Sequence, residues 1–138
     1  MKLTRRHTLM VAFGSAVAAM LPVRAFAALE DDIAAFTGGA DVGSEGITLI
    51  APEIAENGNT VPIEVNAPGA EAIIVFAAGN PTPAVATFNF GPLAAAQSAA
   101  TRIRLAGTQD VIAIARMPDG TFVQASQEVK VTIGGCGG

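Results

Sequence analysis

From Ile47 to Ile133 the chain alternates apolar and polar residues, and turn chemistry interrupts the pattern at short intervals. Val61, Ile63 and Val65 alternate with Pro62, Glu64 and Asn66. Ile103 and Leu105 alternate with Arg102 and Arg104, and Val129, Val131 and Ile133 with Glu128, Lys130 and Thr132. Successive side chains on a strand point to opposite faces, so each segment offers one face to a core and one to water. Ala72 to Ala78 and Val111 to Met117 are apolar almost throughout, as central strands covered on both faces would be. The turn signals are Asn57-Gly58-Asn59, Ala67-Pro68-Gly69, Gly79-Asn80-Pro81, Gly107-Thr108 and Pro118-Asp119-Gly120. About seven short strands at this spacing predict an all-β antiparallel sandwich. Leu93 to Ala100 stays open, because its alanines suit a helical turn as well as a strand.

Before Ile47 the period changes. Ala28 to Phe36 reads as a short amphipathic helix with Gly38 at its C′ position, and Glu30-Asp31-Asp32 would face the positive end of its dipole. Ala40 to Gly46 has no periodicity and reads as an arm. Further upstream, Lys2, Arg5 and Arg6 form a basic region, Leu9 to Val23 is apolar, and Ala25-Phe26-Ala27 is an A-x-A cleavage site. That apolar stretch holds about fifteen residues, short of the roughly twenty that span a bilayer. Arg5 and Arg6 resemble a twin-arginine export signal, with Thr8 where an aromatic residue is common. The expected organisation is a signal peptide over 1–27, helix and arm over 28–46, sandwich over 47–133 and a glycine-rich tail over 134–138. Export to the periplasm, as a folded complex, is the expected destination.

Charge narrows the function. All twelve carboxylates follow residue 27, whereas four of the eight basic residues precede it, so a chain cleaved there carries a net charge of −8. Such a chain repels nucleic acid and anionic lipid. The single histidine, His7, lies in the signal, which removes Ser-His-Asp triads, Cys-His pairs and histidine-based metal sites from the mature domain. Glu53, Glu64 and Glu128 stand alone on turns or outward strand positions and read as solvated surface charge. Arg102, Arg104 and Arg116 read as one basic stripe on a solvent face. No catalytic residue, metal ligand or cofactor is expected. Several strands are apolar on both faces, which implies cover from a second subunit.

One feature is not explained by a folded sandwich. After Ile133 the sequence runs Gly134-Gly135-Cys136-Gly137-Gly138, and Cys136 is the only cysteine. In an exported protein it pairs with another chain or remains a reactive thiol. Four flanking glycines supply nothing apolar to bury it and leave the backbone maximally free, so the tail should be flexible. A catalytic thiol needs a histidine, a cation or a helix N-terminus held beside it, which such a tail cannot provide. The tail is also thin enough to enter a narrow channel, and five residues reach about 17 Å when extended. A swinging arm that carries a group on Cys136, tethered by Gly134, Gly135, Gly137 and Gly138, is the expected device.

With the tail in view, the chain resembles the SoxY family of the bacterial sulfur-oxidising (Sox) system. The likeness is carried by Val129 to Gly138, by Phe36-Thr37-Gly38-Gly39, by Pro52 to Gly58, by Phe88 to Leu93 and by Thr101 to Ala106. It implies an immunoglobulin-like sandwich that pairs with a SoxZ-like subunit. It also implies that a haem-containing SoxAX-type partner joins thiosulfate to Cys136 as an S-thiosulfonate. A SoxB-type hydrolase then releases sulfate and, where it is present, a SoxCD-type dehydrogenase oxidises the remaining sulfane sulfur. Haem and metals would belong to those partners, and the protein itself would be a carrier, not an enzyme. The competing reading is an exported immunoglobulin-like binding module that uses Cys136 only to dimerise through an intermolecular disulfide.

Overall fold

The computed structural model describes residues 24–133, with side chains from Ala27 onward. Among the described residues one helix, α1 (Arg24–Thr37), precedes nine strands. These are β1 (Val42–Gly43), β2 (Thr48–Ile50), β3 (Ile54–Ala55), β4 (Val61–Asn66), β5 (Ala72–Ala77), β6 (Ala84–Asn89), β7 (Ser98–Ile103), β8 (Gln109–Arg116) and β9 (Phe122–Val131). Two sheets face each other. The larger runs β1-β9-β8-β5-β6, with β3 also on β9; the smaller runs β2-β4-β7. Seven strands have three residues or more, as the periodicity predicts, and β1 and β3 are two-residue additions. Both additions pair parallel with β9, so the sandwich is antiparallel apart from one edge. The region read as an unstructured arm therefore contains β1.

The alternating segments bury the faces expected of them. Along β4, Val61, Ile63 and Val65 are buried and Pro62, Glu64 and Asn66 exposed. They meet Ile73, Val75, Val111, Ala113 and Val129 of the opposite sheet in one core. The near-continuous apolar strands β5 and β8 are indeed central, and the second face of each is covered by α1. Phe76, Ile114 and Phe122 pack there against Leu29, Ile33 and Phe36, with the Phe36 and Phe122 rings edge to face at 5.6 Å. The apolar outer face that suggested a second subunit is thus sealed by the chain's own helix.

Local chemistry explains the joints. The helix ends at Thr37, and Gly38 takes the left-handed conformation (φ 66°) while donating to the Ala34 carbonyl at 2.8 Å, an αL cap. The helix starts at Arg24 instead of Ala28, so Glu30-Asp31-Asp32 lies beyond its first turn. At Ala67-Pro68-Gly69, proline presets φ and Gly69 (φ 84°) supplies the positive value that a type II turn requires, closed by Ala70 N–H to Ala67 O at 3.0 Å. The open segment resolves into a turn at Gly91–Ala94 followed by β7, so Ala99 and Ala100 are strand residues. The arginine stripe does not form. Arg102 and Arg104 belong to β7 and its exit, whereas Arg116 is on β8 in the other sheet. A strand period recurs within each strand but cannot relate two strands in different sheets.

Candidate functional site

All the loops at one end of the sandwich converge on the place where the tail begins. β9 runs toward this end, β8 starts here, β5 ends here, and the β3–β4, β5–β6 and β7–β8 connections cross it. Cys136 and Gly134, Gly135, Gly137 and Gly138 lie outside the described residues, as do Arg5 and Arg6 of the export signal. Ile133 is the last residue described.

The root of the tail is held by several bonds. Lys130 N–H donates to Glu53 O at 2.9 Å and Thr132 N–H to Ala55 O at 3.1 Å, which extends the β3 pairing past the strand. The Thr132 hydroxyl donates to Ala55 O (3.2 Å) and Glu56 O (3.3 Å), and Val131 N–H donates to Thr108 Oγ1 at 2.9 Å. Gly58 makes the outermost link. Its N–H donates to Ile133 O at 2.7 Å, and its own carbonyl accepts from Leu105 N–H at 2.8 Å. Asn57 supports this loop by accepting from Asn59 N–H at 3.0 Å through its side chain, an Asx turn. Asn57-Gly58-Asn59 was legible as a turn; its second task, bridging the last strand to the other sheet, was not.

Behind this bridge sits a buried amide pair, Asn80 and Gln109. Gln109 Nε2 donates to Asn80 Oδ1 (2.9 Å) and to Gly107 O (3.0 Å), and its Oε1 accepts from Gly79 N–H (2.8 Å). Asn80 Nδ2 donates to Arg104 O at 2.7 Å, and its Oδ1 also accepts from Ala106 N–H at 2.9 Å. Every polar atom of the pair is used, so the β5–β6 and β7–β8 loops form one rigid unit. Gln109 opens a strand otherwise apolar on that face, which was the only sequence sign of the pair.

The electrostatics differ between the two ends of the molecule. Glu71 lies 3.5 Å from Arg116, and the guanidinium stands 5.7 Å over the Phe36 ring, so that cation is engaged. Among the described residues this is the only salt bridge, and Arg102 and Arg104 have no carboxylate partner. Glu53, Glu64 and Glu128 are exposed, as their positions predicted. A groove of about 340 Å³ opens between the edge strands β6 and β7, lined by Arg102, Arg104, Asn80 and Thr82 among others. A broader apolar groove of about 570 Å³ lies on the outer face of the smaller sheet, around Ile50, Pro62 and Ala100. Among the described residues no helix is long and apolar enough to cross a membrane.

An immunoglobulin-like sandwich with a single cysteine just beyond its last strand is the class that fold and sequence define together. The family profile "Sulfur oxidation protein SoxY" matches residues 33–136, from α1 through Cys136, and the chain belongs to that family. It is similar to the solved sulfur carrier protein SoxY from Chlorobium limicola f. thiosulfatophilum. The TM-score is 0.67 and the identity 38%, over 78% of this chain and 98% of that one. The same fold appears in a superoxide reductase (neelaredoxin) from Ignicoccus hospitalis, with 18% identity, TM-score 0.56, and 64% and 81% of the two chains covered. It also appears in a putative superoxide reductase from Thermotoga maritima, with 20% identity, TM-score 0.51, and 70% and 89% covered. At those identities the likeness concerns the fold alone. No curated protein sequence matched the chain.

Proposed function

We propose that the protein is exported to the periplasm and carries sulfur intermediates of thiosulfate oxidation covalently on Cys136. The observation that carries this reading is the family match, which continues past the last strand and ends on that cysteine. The likeness to a sulfur carrier over nearly all of that protein's length supports it. In the first step the sulfane sulfur of thiosulfate bonds to Sγ, forming an S-thiosulfonate and releasing a proton and an electron pair, which a haem-containing SoxAX-type partner accepts. Water then cleaves the terminal S–S bond to the sulfonate in a SoxB-type hydrolase, releasing sulfate and leaving a persulfide. A SoxCD-type dehydrogenase, where present, takes up the electrons as oxygen from water converts the persulfide sulfur to a sulfonate. A second hydrolysis releases it as sulfate and restores the thiol. A SoxZ-like subunit completes the complex.

The division of labour suits the architecture. The root at Ile133 is hydrogen-bonded into both sheets, so the domain can present the tail from a fixed point while the glycines keep it narrow. Reaction chemistry is left to enzymes that the tail enters, and the carrier needs no thiol-activating group of its own.

Trypsin cleaves after Lys130 and yields Val131–Gly138, which contains the only thiol. In protein from cells oxidising thiosulfate, part of this peptide should carry extra sulfur or thiosulfonate mass that a reductant removes. If only the bare thiol and a symmetric disulfide dimer ever appear, the carrier reading fails and dimerisation replaces it.

A further inference from the structure

We propose that Arg102 and Arg104, beside the groove between β6 and β7, form a resting site for the anionic group carried on Cys136. The proposal rests on the carrier reading above and adds a place where the loaded tail folds back when no enzyme holds it.

Three observations converge. The first is charge. After removal of residues 1–27 the chain holds four cations against twelve carboxylates, so an S-thiosulfonate is repelled over most of the surface. Arg116 is engaged by Glu71 and Phe36. Lys130 stands between Glu53 and Glu128 around a separate groove, where the acids outnumber it. Arg102 and Arg104 remain. Glu64 shares the lining of the broader outer groove with Arg102, and Glu56 and Asp110 belong to neighbouring segments. Yet none comes within 4.0 Å of either guanidinium, and no described acid lines the groove between β6 and β7. Among the described residues the guanidinium of Arg102 makes one hydrogen bond, a long one of 3.4 Å to Thr60 Oγ1.

The second observation is connectivity. Ile133 O accepts from Gly58, and Gly58 O accepts from Leu105, the residue after Arg104. Two hydrogen bonds and one residue therefore separate the tail root from the backbone of the arginine pair. The three steps from Ile133 to Cys136 reach about 10 Å when extended. Beyond that Cα stand the cysteine side chain and its adduct, and the arginine side chains extend from their own strand. β9 and β6, three strand spacings of about 4.8 Å apart, set the gap to be crossed at about 14 Å. The reach suffices.

The third observation is rigidity. Arg104 O is tied to Asn80 Nδ2, and Asn80 also lines the groove, so the wall beneath the guanidinium is fixed by the buried amide pair. A planar guanidinium pairs two N–H donors with two oxygens of a sulfonate as it does with those of a carboxylate or phosphate. Two adjacent ones over a rigid floor make a site that a neutral or uncharged tail has no reason to enter.

The test uses the mature chain labelled with ¹⁵N. Its arginines are Arg102, Arg104 and Arg116, and the last serves as an internal control. Treatment with tetrathionate loads Cys136: the thiolate attacks the central S–S bond, thiosulfate leaves, and the S-thiosulfonate remains. Alkylation with iodoacetamide gives a neutral adduct for comparison. Loading should shift the side-chain Nε–H resonances of Arg102 and Arg104 and leave Arg116 in place, and the neutral adduct should shift none. Unmoved Arg102 and Arg104 signals, or an equal response at Arg116, would overturn the resting site. In the Arg102→Gln/Arg104→Gln variant, reaction with dianionic tetrathionate should slow on the order of tenfold at low salt. Reaction with neutral dithiodipyridine should not change, and high salt should erase the difference. Equal rates with tetrathionate would also overturn it. Neither result bears on whether cells load Cys136, which the peptide mass decides separately.

Discussion

The outer face under α1 and the end from which the tail leaves are built on opposite terms. Under the helix, apolar side chains are buried on both sides of the larger sheet, and the nearby cation is consumed by Glu71 and Phe36. At the tail end, backbone and amide hydrogen bonds do the holding, Ile133 is 63% exposed, and two arginines have no carboxylate partner among the described residues. The contrast teaches that burial and directed hydrogen bonding are physically separated here. Burial holds the fold at one place; a hydrogen-bond lattice fixes Ile133, the root of the proposed carrier tail, at another.

The strongest way to break that separation is Cys136→Ser. Thiosulfate turnover by the reconstituted partner system should fall to background, with the thermal midpoint unchanged within error. A shifted midpoint would mean that the tail packs on the domain and that the two regions are not independent. The reciprocal change is Phe76→Ala beneath the helix. This side chain is fully buried, so the variant should lose about 3–5 kcal/mol in urea unfolding. Alkylation of Cys136 at a temperature where the variant is folded should proceed at the wild-type rate. An altered rate would show that the helix-covered face reaches the tail.

A finer division is drawn by Thr108→Ala. It removes the acceptor for Val131 N–H at the tail root, a partly solvated bond for which about 0.5–1.5 kcal/mol is expected. Hydrogen exchange should accelerate at Val131 and leave β5 unaffected, which checks that the root is held by this lattice and not by the core. The smallest effect belongs to Asp119, in the β8–β9 turn far from the tail. The Thr121 hydroxyl, and then its backbone N–H, bond the carboxylate and lower its pKa from the ordinary 3.8. A depressed carboxylate adds stability that is full above the unfolded value and fades as pH falls through the folded one. The difference in thermal midpoint between wild type and Asp119→Asn should therefore be small at neutral pH and shrink further below about pH 3.8. A difference that grows on acidification would reverse the assignment.

Much of this was readable in advance because it is local. Alternation in Val61 to Asn66 has a period of two whatever surrounds it, and proline-glycine at 68–69 encodes its turn by backbone sterics alone. The glycine cap after Thr37 and the chemistry open to a lone thiol among glycines are local in the same way. The misreadings share one cause. Arg102, Arg104 and Arg116 looked alike in sequence, but register and sheet membership separated them and, among the described residues, gave only the last a carboxylate. Ala40 to Gly46 carried no pattern because a two-residue strand owes its existence to the β9 edge, not to its own propensity.

What the sequence determined by itself is the class of fold, the position of most of its turns, and that the chain has one thiol, Cys136, on which the proposed carrier role depends. The tertiary structure alone decided that the two-faced apolar strands would be covered by the chain's own helix. It also decided that Gly58 would join the last strand to the other sheet, and that Arg102 and Arg104 would meet no carboxylate among the described residues. Those outcomes depend on contacts between residues far apart in the chain, 24 positions for Asn80 with Arg104 and 77 for Thr132 with Ala55. Their entropy of closure is met only once the whole sandwich forms, so no local stretch of sequence carries their signature.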